Sequence, residues 1–303
     1  MINVAIMGHG VVGSGVAEIL NNFPDRVTEK AQEKINVKYI LDLRDFDNLP
    51  YSDKFIKDFN LIVNDPEVQI VVEVMGGCTF AYDYVKACLL AGKSVCTSNK
   101  ELVAAKGDEL LDIALEKNVN FLFEASVGGG IPVLRPMAQC LTANEITEVT
   151  GILNGTTNFI LTKMINENMS FEDALKIAQE LGYAEKDPTA DVEGIDACRK
   201  IAILSSLVWG KTLKPSEIPT EGIDKISAED VKTAEQCGFS IKLLARAKRL
   251  DDGKIFAKVS PTLVKNDSPL ATVNDVFNAV LIKAETTGEV LFYGKGAGKM
   301  PTA

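Results

Sequence analysis

Histidine is nearly missing from this chain of 303 residues, in which His9 is the only one. That removes most mechanisms resting on an imidazole as base or as partner of a nucleophile. The six cysteines, at 78, 88, 96, 140, 198 and 237, show no CxxC spacing, so neither a disulfide framework nor a zinc site is indicated. Cys88, Cys140 and Cys198 fall in apolar, helix-like patterns where a reduced, buried thiol is the common case. Basic residues are in deficit, 32 against 42 acidic, for a net charge of -10. No block of Lys and Arg is present to track phosphates, so no nucleic-acid partner is expected. No apolar run approaches the length of a membrane span, and "MINVAIMGHG" lacks the basic leader of a signal peptide. A soluble protein of the cytoplasm, without a membrane partner, is expected.

What is present suits two packed domains: 46% hydrophobic and 24% charged residues over a length above that of one ordinary domain. "INVAIM" (2–7), "INVKYIL" (35–41), "VQIVVEVMG" (68–76), "KSVCTS" and "VNFLFEA" read as strands, the third fully buried by its apolar run. Helical patterns lie between them, one of them ended by Gly92. Strands alternating with helices predict an α/β, Rossmann-type doubly wound parallel sheet over residues 1–130. Beyond "GGGIP" the rhythm breaks, which predicts a second α+β domain for substrate binding and dimerisation over 131–290. Residues 291–303 are expected to form a return segment to the first domain. Two β-rich pieces, "KIFAKVSPTLV" and "NAVLIKAETTGEVLFYG", belong to the second.

"GHGVVG" follows a predicted strand and opens a predicted helix, the context that gives a GxGxxG motif its weight. Gly8 allows the tight turn, Gly10 lets backbone approach a pyrophosphate, and Gly13 lets the helix pack closely on the sheet. The helix N-terminus, with Val11 and Val12 in its first turn, favours phosphate charge. His9 is expected to be a variable loop position among phosphate-holding neighbours rather than a catalyst. After the second strand, "ILDLRD" offers Asp42 for a ribose hydroxyl and Arg44 for a 2′-phosphate, leaving NAD and NADP both open, with NADP preferred. "TSNKELVA" puts Ser98, Asn99 and Lys100 at a strand's C-terminal end, where ligands of open parallel sheets bind. On pattern alone Lys100 is equally a surface lysine beginning a helix.

"LGYAEKDPTADVEGIDACRK" (181–200) crowds Glu185, Asp187, Asp191, Glu193 and Asp196 ahead of the uncharged "IAILSSLVW". On a helix starting near Gly194, Asp196 and Lys200 share one face. The apolar residues that follow place Lys200 toward the interior. Desolvation lowers a lysine's pKa and a carboxylate neighbour raises it, a balance that can poise the amine for proton transfer. On pattern alone the blander reading is preferred: acids at a helix start and one exposed ion pair worth about 0.3–0.5 kcal/mol.

These stretches, taken together and in this order, resemble homoserine dehydrogenase over essentially the whole chain. The glycine loop, "TSNKELVA", "EASVGGGIP", "GILNGTTNFIL" and the terminal "GKGAGKMPTA" match. In the stretch after the first helices, Ala178, Gly182, Pro188, Asp191, Gly194, Asp196 and Lys200 fall on the family signature. The resemblance reverses the blander reading of Lys200.

It implies an NAD(P)-dependent oxidoreductase interconverting L-homoserine and L-aspartate 4-semialdehyde, in the biosynthesis of threonine, methionine and isoleucine. Carried onto this chain, Lys200, Lys100 and Asp196 are the catalytic residues, with Lys200 the proton donor. Glu185, Asp191, Tyr183, Gly155 and Thr156 are implied to bind substrate. Gly8, Gly10, Val11, Val12, Gly13, Arg44, Ser98, Lys100 and Gly296 are implied for the coenzyme. A monovalent cation, sodium, would fall on Glu124 and the carbonyls of Val127, Gly129 and Ile131. A homodimer through the second domain is implied as well. Family chains normally continue past "PTA" with a helix, and many add a regulatory domain; neither lies within these residues. Two other readings stay open: a phosphorylating semialdehyde dehydrogenase, disfavoured by the lone His9, and a dinucleotide-binding sensor without turnover.

Overall fold

A computed structural model describes residues 1–141 and 143–303. They divide into two compact units, one formed by 1–126 with 298–303 and the other by 127–297.

The first unit runs β1 (Ile2–Met7), α1 (Val11–Asn22), α2 (Pro24–Ala31), β2 (Ile35–Leu41), β3 (Phe55–Ile56), α3 (Asn60–Val63), β4 (Val68–Glu73), α4 (Thr79–Leu90), β5 (Ser94–Thr97), α5 (Lys100–Lys117) and β6 (Phe121–Leu122). The six strands form one parallel sheet in the order β3-β2-β1-β4-β5-β6. The chain steps outward from β1 to β3 and then crosses back to β4, so the order reverses between β1 and β4. Ligands of such sheets bind outside the carboxyl ends at that reversal. Near-continuous apolar strands follow from burial on both faces: Ala5, Ile6, Met7, Ile40 and Val71 are inaccessible to solvent. The short β3 and the helices α2 and α3 were not anticipated from the sequence.

The second unit contains α6 (Leu134–Gln139), β7 (Ile146–Ile152), α7 (Gly155–Glu167), α8 (Phe171–Glu180), α9 (Thr189–Val192), α10 (Ile195–Trp209), α11 (Ala228–Gln236), β8 (Phe239–Arg249), β9 (Ile255–Lys265), β10 (Phe277–Ala284) and β11 (Gly288–Lys295). Its antiparallel sheet has the order β11-β10-β7-β8-β9. Ile152, Leu244, Val264, Leu270, Val273, Ala279 and Leu281 form one of its core clusters. β8 escaped the sequence pattern because Ile241 to Ala245 are all buried, which hides the two-residue alternation of a strand. The outer edge of β9 is occupied at Val259, whose N–H donates to Pro219 O and whose carbonyl accepts from Glu221 N–H, both at 2.9 Å. After β11 a short α12 (Lys299–Thr302) packs on α1 in the first unit. Cys88 and Cys198 are buried as expected, but Cys140 closes α6 at the surface. Among the described residues no helix is long and apolar enough to cross a membrane.

Candidate active site

In the first unit the glycine loop occupies the turn from β1 to α1, and its three glycines are needed for three different reasons. Gly8 has φ +98°, and a Cβ there would meet Val74 O at 3.0 Å. At Gly13 a Cβ would lie 2.0 Å from Gly8 O, so the helix can approach the strand only without one. Gly10, which precedes α1, has nothing within 4 Å of its absent Cβ. Its missing side chain therefore leaves room for something outside the protein. Val11 is exposed beside it, while Val12 packs on the core under the loop.

His9 does not face that space. Its ring is buried edge-on against Phe46 and Phe55, at centroid distances of 4.7 and 5.0 Å, and its Nε2 lies 3.2 Å from the Tyr51 hydroxyl. Burial pushes its pKa below the ordinary value, against the pull of Asp42. The residue is a packing wedge, because the backbone turn at Gly8 directs it into the aromatic cluster.

Asp42 and Arg44 both lie just past β2 and hold each other. Arg44 donates through Nε to Asp42 Oδ1 at 3.0 Å and through Nη2 to Oδ2 at 2.9 Å. Asp42 Oδ2 also accepts from His9 N–H at 2.8 Å, and Arg44 Nη2 donates to His9 O at 3.1 Å. The guanidinium bonds hold the Asp42 carboxyl well below the usual range, with burial opposing. The acid is buried under the loop while the base stays largely exposed.

Ser98 and Lys100 are fixed by a chain of bonds running back to β4. Glu73, fully buried, accepts from the Thr97 hydroxyl at 2.6 Å and from Met75 N–H at 2.8 Å. Thr97 Oγ1 accepts from Asn99 N–H at 2.9 Å, and Asn99 caps α5 by accepting from Leu102 N–H at 3.1 Å. An Asn at that position supplies one orphan helix donor with an acceptor. Lys100 is then the first residue of the helix and half-buried. Glu124 lies in a short helical turn just after β6.

In the second unit the starts of α7 and α10 converge. Lys200 is buried; its Nζ lies 2.8 Å from Asp196 Oδ2 and donates to Leu153 O at 2.7 Å. Asn154, the N-cap of α7, accepts from Thr157 N–H and donates from Nδ2 to Asp191 Oδ1 at 2.7 Å and Asp196 Oδ2 at 2.9 Å. One amide thus joins the two carboxylates that the sequence singled out. Thr156 Oγ1 donates to Tyr183 O at 2.7 Å, and the Tyr183 ring meets Phe159 edge-on at 5.1 Å. Gly155 and Thr156 begin α7 beside them. Tyr183 and Glu185 are exposed on the connection after α8. Gly194, at φ +80°, starts α10 where a Cβ would press on Thr220 and Val259.

Elsewhere in this unit Val127 and Ile131 are buried around Gly128 and Gly129, at φ +78° and +51°. A Cβ on Gly129 would meet Gly296 O at 2.5 Å, so these two segments touch backbone to backbone.

Sequence reasoning missed Asn154 and the Leu153 carbonyl, although "LNGTTN" carries an N-cap signal. It also passed over Glu73 and Thr97. An amine held between a carboxylate and a carbonyl inside a protein is equipped to accept and return a proton. A glycine turn at the reversal of a parallel sheet is equipped to hold a dinucleotide.

Two family models match in succession: the homoserine dehydrogenase NAD-binding domain over residues 8–124 and the homoserine dehydrogenase domain over 132–303. The homoserine dehydrogenase of Bacillus subtilis is 42% identical over 307 residues, covering all of this chain and 70% of that protein. The chain belongs to the homoserine dehydrogenase family. It is therefore an oxidoreductase that uses NAD(P) on a small-molecule substrate. The crystal structure of a homoserine dehydrogenase from Thiobacillus denitrificans superposes with a TM-score of 0.94 at 41% identity, over 99% of this chain and 70% of that one. A hyperthermophilic archaeal homoserine dehydrogenase in complex with NADPH gives 0.81 at 30% identity, over 99% of this chain and 93% of that one.

Proposed function

We propose that this chain interconverts L-homoserine and L-aspartate 4-semialdehyde, with Lys200 moving the hydroxyl proton. The observation that carries this reading is the buried Lys200 amine set between Asp196 and the Leu153 carbonyl. In the oxidising direction a neutral Lys200 takes the proton from the substrate hydroxyl, and Asp196 and Leu153 O stabilise the ammonium that forms. In the reducing direction the ammonium gives the proton back. Asn154 keeps Asp196 turned toward Lys200, and Asp191, Glu185 and Tyr183 with Gly155 and Thr156 bind the amino-acid end. Asp191 and Glu185 suit a substrate bearing an α-ammonium group. Lys100 assists as a second lysine, oriented by the helix start that Asn99 caps.

The residues present fit a nicotinamide coenzyme, since the space beside Gly10 and the first turn of α1 would accept its pyrophosphate. Gly8, Gly10, Val11, Val12 and Gly13 would hold it there, with Ser98, Lys100 and Gly296 as further contacts. When bound, the coenzyme supplies or accepts the hydride. Asp42, tied to the loop backbone, favours a ribose hydroxyl, whereas the exposed Arg44 can turn toward a 2′-phosphate; NADP is the preferred coenzyme.

A sodium ion fits the 127–131 loop through the carbonyls of Val127, Gly129 and Ile131, because the loop's own turn bond, from Ile131 N–H, uses the Gly128 carbonyl instead. Glu124 would complete that set. The protein is read as a cytoplasmic homodimer joined through the second unit. Absorbance at the reduced-nicotinamide band, with L-homoserine and each coenzyme in turn, tests the activity. No change with either coenzyme would overturn it.

A further inference from the structure

A second lysine of the 127–297 unit is buried more deeply than Lys200 and has no part in the chemistry above. Lys242, on β8, is wholly inaccessible to solvent. Its Nζ donates to Val273 O at 2.5 Å, to Asn274 Oδ1 at 3.0 Å and to Asn158 Oδ1 at 3.3 Å. Burial lowers its pKa to about 8, with Asp275 pulling upward, while three acceptors around Nζ match the three N–H donors of an ammonium. A methionine would fill a similar volume without carrying a charge out of water. A lysine at such a place needs a reason other than packing.

Its acceptors supply one. Asn158, on α7, donates from Nδ2 to the carbonyls of Val273, Asp275 and Phe277 at 3.0–3.2 Å. Thr162, one turn further along α7, accepts from Asp275 N–H at 3.0 Å and donates to Asn158 O at 2.7 Å. Asp275 itself is left-handed, at φ +54°, a conformation that persists only when its surroundings impose it. The turn so held presses on the start of α7: a Cβ on Gly155 would lie 2.7 Å from Val276 O. One residue before Gly155 is Asn154, which holds Asp191 and Asp196, and before that Leu153, whose carbonyl holds Lys200.

We propose that Lys242 is a tethered cation which seats the 273–277 turn against the first turn of α7, and so positions Asn154, Asp196 and Lys200 for proton transfer. It is a positioning residue and touches neither substrate nor coenzyme. The proposal rests on the assignment of proton transfer to Lys200.

The test uses Lys242→Met and Lys242→Ala in the full chain, with Lys200→Ala in the same assay. Lys242→Met is expected to fold and to lose about 10–100-fold in kcat, the scale of a displaced catalytic group. KM for L-homoserine should move less. The acidic limb of the pH–rate profile for L-homoserine oxidation, where Lys200 takes up a proton and can no longer act as base, should shift because the partners of Lys200 move; a merely structural lysine would lower Tm and leave that limb in place. Lys242→Ala should be rescued by n-propylammonium, the fragment removed, and not by n-propanol. Should Lys242→Met fail to fold, that rescue decides the question alone. Native kcat and an unmoved limb in folded Lys242→Met, or equal rescue by the alcohol, would overturn the proposal. Near-native turnover in Lys200→Ala would instead remove the assignment on which it rests.

Discussion

Lys200 Nζ sits 2.8 Å from Asp196 Oδ2, four residues back on the same helix, with both side chains out of solvent. If this amine moves the proton, Lys200→Ala should lose roughly 10²–10⁴ in turnover while coenzyme still binds. Lys200→Arg should not restore it, since a guanidinium keeps its proton near neutral pH. Asp196→Asn removes the carboxylate that favours the ammonium, so the limb that reports Lys200, acidic for homoserine oxidation and basic for semialdehyde reduction, should move to lower pH. A deuterium isotope effect on the hydride step establishes that chemistry limits the rate being compared. Near-native turnover in Lys200→Ala would pass the role to Lys100.

The glycine loop separates folding from binding. Gly10→Val places its side chain in open space and should leave the fold intact while weakening coenzyme binding, as calorimetry would show. Gly13→Ala drives a Cβ to within 2.0 Å of Gly8 O and should cost about 1–3 kcal/mol of stability, as other overpacked sites do. A folded Gly10→Val with unchanged coenzyme affinity would refute the placement.

Asp42 and Arg44 should part company when the coenzyme is changed. Arg44→Ala is expected to weaken NADP more than NAD, and Asp42→Ala the reverse. Asp42 also accepts from His9 N–H, so its loss should loosen the loop for both coenzymes to some degree. Equal losses for both coenzymes in both variants would mean that neither residue reads the ribose.

A single histidine makes the aromatic cluster observable. The His9 signal should titrate below 6.5, the ordinary value, because burial favours the neutral ring. The sign for stability follows: the unfolded chain takes up the proton first, so stability holds above about pH 6.5 and falls as pH drops toward the folded-state value. An NMR midpoint at or above 6.5 would contradict a buried neutral ring.

Light scattering at micromolar concentration should give twice the 32.8 kDa chain mass. Because Val259 already spends its backbone bonds within the chain, a partner strand would have to pair with β9 on either side of it. A species of 32.8 kDa alone would remove the dimer.

The parallel sheet was legible because strands buried on both faces leave unbroken apolar runs, and because Gly8 and Gly13 mark a turn that nothing else can make. Asp196 and Lys200 were legible as neighbours, since helical spacing alone joins them. Asn154 was not: its partners lie 37 and 42 residues away, on α9 and at the start of α10, and only the packing of α7 on α9, itself packed on α10, brings them together. Glu73 hid within an apolar run, its partner Thr97 lying on the next strand. Lys242 hid with β8 itself, whose unbroken burial from Ile241 to Ala245 leaves no two-residue alternation to mark a strand.

The return of residues 299–303 to α1 has a consequence for synthesis. Gly15 of that helix is bare of a side chain where Lys299 O and Ala303 press to about 3 Å, and Lys299 pairs with Glu18. On a ribosome, the nucleotide-binding unit begins to fold first, yet this face of α1 stays uncovered until the whole second unit has emerged. A nascent chain arrested before residue 299 would therefore expose a helix surface shaped for a partner it has not yet made.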